Sequence, residues 1–122
     1  MVNSEFGVVN SQSDSLAIAE NPPAMSLQTE FEFLLPKGYL DAENQLHRNG
    51  LMRLSRAVDE IVPMGDPRVQ ANPAYSTVLI LSRVVTRLGE IDSITPTVVE
   101  GLFAEDLQYL QTFYRKVNGL VN

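Results

Sequence analysis

The chain has 122 residues, 44% hydrophobic and 20% charged, which fits one domain, or one domain plus a tail, with ordinary globular composition. It has no cysteine, which excludes disulfides, thiol catalysis and thiolate metal sites together and suits the cytoplasm. The net charge of −6 sits mainly at the front: residues 1–35 carry Glu5, Asp14, Glu20, Glu30 and Glu32 with no Lys or Arg, and the remainder has 10 acids against 9 bases, which speaks against the clustered cations of a nucleic-acid footprint.

No apolar run approaches the roughly 18–20 residues that span a bilayer, so no membrane partner is expected. The first residues lack a basic region followed by an apolar block, so no secretory signal is read there. Residues 1–28 are rich in Ser, Asn and Gln, carry Pro22-Pro23 and show no sustained period, and they read as a flexible acidic tail. Two apolar islands interrupt this tail, Phe6-Gly7-Val8-Val9 and Leu16-Ala17-Ile18-Ala19. Either is suited to dock onto a partner or onto the domain itself.

The single domain is expected over 29–122. From Thr29 to Leu35, Glu30 and Glu32 alternate with Phe31, Phe33 and Leu35, the period of a strand with one wet face. Pro36 either ends that strand or marks it as an edge. After the polar turn Asp41–Asn44, a second extended run covers Leu46 to about Leu54. Asn49-Gly50 interrupts it as a bulge or a tighter turn. The two runs predict an antiparallel hairpin, which needs helices to cover Phe31 and Phe33 because an isolated hairpin is marginal.

Ser55 reads as an N-cap, with Asp59 and Glu60 near a helix start and Pro63 ending a short helix. Asp66-Pro67 starts a further turn ending near Ala71. The central stretch follows, Asn72 to Gly89. Asn72 caps, Pro73 suits the first helical position, and Gly89 suits the left-handed residue after a helix end. Between them the apolar residues cover so much of the circumference that a single central helix is predicted, leaving Arg83 and Arg87 four apart on its polar strip. Thr95-Pro96 repeats the cap-plus-proline signature. Gly101 either divides the last region into two helices or weakens one, Leu107, Leu110, Phe113, Tyr114 and Val117 form its apolar stripe, and Gly119 closes it. The fold class expected is α+β, an N-terminal β-hairpin on a small bundle of about four helices.

Catalytic chemistry finds little footing. His47 is the only histidine, with no second ligand or Ser or acid partner apparent in sequence. Asp59-Glu60 and Glu105-Asp106 are adjacent pairs that diverge on a helix and make poor acid–base dyads; their place near helix starts accounts for them. No phosphate-cradling loop, nucleophile elbow or metal spacing is present, so no enzyme, cofactor or metal is expected.

A family resemblance adds to this reading. The residues that carry it run from Phe31 to about Asn118: FEFLLPKGYLD from Phe31, LHRNGLMRL from Leu46, DEIVP from Asp59, DPRVQANPAY from Asp66, VLILSRVVTRLG from Val78 and TPTVVEGLFAEDLQYL from Thr95. In these blocks the chain resembles phage tail assembly proteins, the tail assembly chaperone-like proteins of contractile phage tails and phage-tail-like contractile injection systems. The resemblance implies a non-enzymatic assembly factor that holds the helical tape-measure protein while tube subunits polymerise around it. The alternative is a structural cap or baseplate component kept in the mature particle. A small DNA-binding regulator is a third class, disfavoured by the acidic tail and near-neutral domain. The residues best suited to contact such a partner, or a second copy of the chain, are Tyr75, Leu79, Arg83, Arg87, Tyr109 and Phe113, which combine aromatic or Arg character with the two long helices.

Overall fold

The structure, a computed structural model, describes residues 26–120. The expected tail of residues 1–28 therefore falls almost wholly outside the described residues. The described chain is an α+β fold, a three-stranded antiparallel sheet in the order β1-β2-β3 packed against five helices. The strands are β1 (Glu30–Leu40), β2 (Leu46–Arg53) and β3 (Val85–Leu88), and the helices are α1 (Ala57–Met64), α2 (Pro67–Ala71), α3 (Ser76–Val84), α4 (Pro96–Glu100) and α5 (Ala104–Val117).

The hairpin forms as the alternation predicts, with Phe31 opposite Met52 and Phe33 opposite Gly50. Its turn is held by Asp41, whose Oδ1 accepts from the backbone N–H of Glu43 at 2.9 Å and of Gln45 at 2.8 Å. Asn49-Gly50 is neither turn nor bulge: both residues stay in register inside β2, and Gly50 is needed because the Phe33 ring lies where its Cβ would stand. The irregularity is on β1 instead. Between the pairs Leu34–Asn49 and Tyr39–His47 the strand carries extra residues that loop out around Pro36, as an edge strand tolerates. Gly38, at φ +108°, lets the bulge turn back.

That bulge is tied down from both sides. Arg48 on β2 donates from Nε to the Leu35 carbonyl at 2.9 Å, and Asp106 on α5 accepts from the backbone N–H of Lys37 at 2.9 Å and of Gly38 at 2.7 Å. Asp106 is fully buried, so adjacency to a helix start does not account for it; it satisfies two edge-strand donors that the bulge leaves unpaired.

The central stretch departs from expectation. Asn72 caps and Pro73 opens a single 3₁₀ turn, Pro73–Tyr75, then α3 runs only to Val84, and Val85–Leu88 is the third strand. Val85 takes φ −79°, ψ 113°, directly after the last helical residue. The run Val84-Val85-Thr86 is β-branched, a poor helix former and a good strand former, and β2 offers an unpaired edge to it. Gly89 does adopt the left-handed conformation, φ +59°, but it closes a strand rather than a helix, and its N–H reaches the Asn49 carbonyl at 2.6 Å. Gly101 does divide the last region, α4 ending there and α5 starting at Ala104.

The core lies between the inner face of the sheet and the helices. Phe33, Leu35 and Met52 meet Leu81, Val84, Val85 and Leu88, with Val99, Leu110 and Tyr114 closing the other side. Phe113 packs edge-on to Phe33 with ring centroids 5.8 Å apart and stacks on Tyr109 at 5.9 Å. No helix among the described residues is long and apolar enough to cross a membrane.

Candidate docking face

The feature with the greatest bearing on function is α1, a helix turned inside out. Its sequence, Ala57-Val-Asp-Glu-Ile-Val-Pro-Met64, would ordinarily bury Val58, Ile61 and Val62. The residues it buries are Asp59 and Pro63, spaced four apart. Val58, Ile61, Val62 and Met64 are left 47%, 67%, 52% and 53% exposed. Successive residues rotate by about 100° around a helix, so Ile61, the most exposed, lies nearly opposite the Asp59–Pro63 stripe.

Asp59 enforces this orientation. Arg53, the last residue of β2, grips its carboxylate with both guanidinium nitrogens, Nη1 to Oδ2 and Nη2 to Oδ1 at 2.8 Å each. Arg83 of α3 adds Nε to Oδ1 at 2.9 Å, and the backbone N–H of Arg56 donates to Oδ2 at 2.8 Å. The carboxylate is 1% exposed. The Arg53 hydrogen bonds, outweighing burial and supported by Arg56 and Arg83, hold it well below the usual carboxylate range. The neighbouring Glu60 accepts from the Tyr114 hydroxyl at 2.5 Å, and that hydroxyl also lies 2.9 Å from Ser55 Oγ. Burial first, and the Glu60 hydrogen bond next, push the Tyr114 phenol up to about 12. Ser55, read as the N-cap, serves here instead, and Arg56 occupies the cap position. Pro63 does not end the helix but sits in its last turn.

The residues expected to meet a partner are dispersed. Tyr75 precedes α3, hydrogen-bonds Glu100 of α4 and lies under the Arg68 guanidinium, 5.3 Å from its ring centroid. Leu79 is buried. Arg83 is committed to Asp59 at the back of α1. Arg87 is exposed on β3, and because the helix ends at Val84 it shares no helical strip with Arg83. Tyr109 and Phe113 are brought together on the face of α5 that covers β1, where the Tyr109 hydroxyl accepts from Leu34 N–H at 3.4 Å. The α1 face was missed because an apolar spacing states that a stripe exists, not which way it points.

Other sites offer less chemistry. His47 does have an acid partner: its Nε2 lies 2.8 Å from Asp41 Oδ2, and the His47 hydrogen bond is the main cause that lowers Asp41. Its Nδ1 accepts from Glu90 N–H at 3.4 Å, so both ring nitrogens are engaged and neither is left for a substrate proton. An open cavity of about 300 Å³ between α3 and α5 is lined by Thr77, Ile80, Leu81, Gln111, Tyr114 and Arg115, without a paired nucleophile and base. A larger groove, about 660 Å³, runs past Leu27, Thr29, Arg53 and Ser55 to Arg56 at the start of α1. Among the described residues no group of three or more His, Asp or Glu is arranged to hold a metal ion.

No protein-family model, no curated protein and no solved structure matches the chain.

Proposed function

We propose that the chain is a non-enzymatic assembly factor that binds an apolar helical segment of another protein in the cytoplasm. The observation that carries this reading is the outward apolar face of α1, centred on Ile61 and anchored from behind by the Asp59 ion pairs. Exposed apolar side chains clustered on one helix are the usual mark of a docking surface, and an amphipathic partner helix would bury them at i, i+3, i+4 spacing. The resemblance of residues 31–118 to phage tail assembly proteins implies a partner for this reading: the tape-measure protein of a contractile tail or injection system, held during tube assembly.

Co-expression with the tape-measure protein of the same locus tests it. A co-purifying complex that raises the soluble yield of the tape measure, and that Ile61→Asp abolishes, is the expected result. No interaction, with normal tail length in a deletion strain, overturns it. Mass spectrometry of purified particles separates the two roles: absence from the particle fits a chaperone, and a stoichiometric amount makes the chain a cap or baseplate component instead.

A further inference from the structure

We propose that the open face of the sheet pairs with the same face of a second copy of the chain, in a weak two-fold dimer held by reciprocal Glu32–Arg87 ion pairs. The inference does not depend on the reading of α1. It starts from the alternation that builds the hairpin. Phe33 and Leu35 point into the core, so Glu30, Glu32 and Leu34 point the other way. Their cross-strand partners share that face: Arg53 opposite Glu30, Leu51 opposite Glu32 and Asn49 opposite Leu34. Leu51 is in turn opposite Arg87 on β3. The face is open, with Glu30, Glu32, Leu34, Asn49 and Arg87 exposed and Leu51 half-buried.

One row of this face is self-complementary. Glu32, Leu51 and Arg87 lie side by side across β1, β2 and β3, an acid at one end, a base at the other and an apolar side chain between. The two ends are about 9.6 Å apart, two strand spacings, and among the described residues neither joins an ion pair. A two-fold axis parallel to β2 beside Leu51 turns a second sheet face down and reverses its row. Glu32 of each copy then stands against Arg87 of the other, and the two Leu51 side chains meet at the axis. An axis across the strands would instead set Glu32 on Glu32 and Arg87 on Arg87, so charge selects the first arrangement. That arrangement keeps the strands of the two sheets aligned, the ordinary way for sheets to pack. Glu30, the other acid of the face, already has Arg53 opposite it in its own sheet. A groove of about 340 Å³ along Glu32, Asn49, Leu51 and Arg87, floored by Gly50, leaves room for side chains of the second copy to interdigitate. The paired footprint is small, three strands by the length of Glu30–Leu34, roughly 14 Å by 17 Å against about 800 Å² per partner in a standard interface. Exposed ion pairs are individually weak, so the dimer is reversible, grows with concentration and is weakened by salt.

Sedimentation equilibrium of the purified full chain, from micromolar to millimolar concentration at low ionic strength, tests it. The expected result is a monomer–dimer equilibrium. Glu32→Arg and Arg87→Glu should each lower the association constant about tenfold or more, because each sets like charges against one another. Both positions are exposed, so the fold is retained. An equimolar mixture of the two single variants should associate again, since the two basic ends of one chain then face the two acidic ends of the other. Ile61→Asp should leave the equilibrium unchanged. A monomer throughout the range overturns the proposal, as does association that persists in either single variant or fails to return in their mixture. Association lost with Ile61→Asp also overturns it and makes α1 the contact. No tail protein is present in these samples, so the outcome is separate from that of the co-expression experiment.

Discussion

Asp59 and Asp106 show how a single buried carboxylate sets the position of a whole element. Each is buried, and each has its oxygens filled by donors from outside its own helix: Arg53 and Arg83 for the first, Lys37 and Gly38 N–H for the second. Removing Asp59 leaves two guanidinium groups without their counter-charge; both are about one-third exposed and regain some water. Asp59→Ala is therefore expected to cost about 3 kcal/mol, the lower end for breaking a buried pair, measurable by urea denaturation. The pH dependence has a definite sign. Asp59 is lowered in the fold, so its contribution is complete above the unfolded carboxylate value of about 3.9 and is lost as pH falls below it. Melting temperature should hold from neutrality to about pH 5 and decline on further acidification, and Asp59→Ala should flatten that decline. Neither role was legible in sequence. Both residues occupy ordinary acidic positions in a first helical turn, and only the fold brings β1, β2 and α3 up to them.

At the scale of elements, the strand alternation of Phe31, Phe33 and Leu35, the cap-plus-proline starts at Asn72 and Thr95 and the break at Gly101 all follow from local chemistry and are present in the structure. The end of α3 was hidden for a physical reason. Val84, Val85 and Leu88 are buried whether the segment is helix or strand, so periodicity over so few residues does not separate the two. What decides is the edge of β2, a non-local partner. The orientation of α1 was hidden in the same way, since Arg53 and Arg83 decide it. Because α1 is held by Asp59 rather than by its valines, Ile61→Asp is expected to shift unfolding free energy by no more than about 0.5 kcal/mol, as at other exposed positions. A loss comparable to that of a core residue in the same urea titration would show that Ile61 is packed. Gly89→Ala should behave differently. Its φ of +59° already disfavours a side chain, and the new Cβ would press on the His47 ring and disturb its bonds to Asp41 and Glu90. A loss of at least about 1–2 kcal/mol is expected from the left-handed backbone alone, read from the thermal midpoint.

For the molecule as a whole, the described residues have a protected side and an open side. The β1 edge is blunted by its bulge, by Asp106 and by the Tyr109 hydroxyl, so strand addition there would have to displace α5. The apolar surface of α1 has no such cover among the described residues, which concentrates association on one small helix. If that face holds the partner, Ile61→Asp should abolish capture of the tape-measure segment while Arg87→Glu leaves it unchanged, as measured by pull-down of the purified full chain.

The passage from α3 into β3 has a consequence for what length changes the chain tolerates. Val84 ends the helix and Val85 starts the strand, with no residue between them to take up slack. The strand is pinned at its far end by the Gly89 N–H on Asn49. One glycine inserted between Val84 and Val85 would act like a slipped tooth in a gear. The strand could keep its anchor only by a bulge beyond the one its pairing with β2 already has, or keep its spacing from the helix only by exchanging Val85 and Leu88 for the inserted glycine and Arg87 at the two buried places. The same insertion in the loop 90–94 meets no such constraint, and comparing the two insertions by thermal melting would measure how tightly this junction keeps helix and sheet in step.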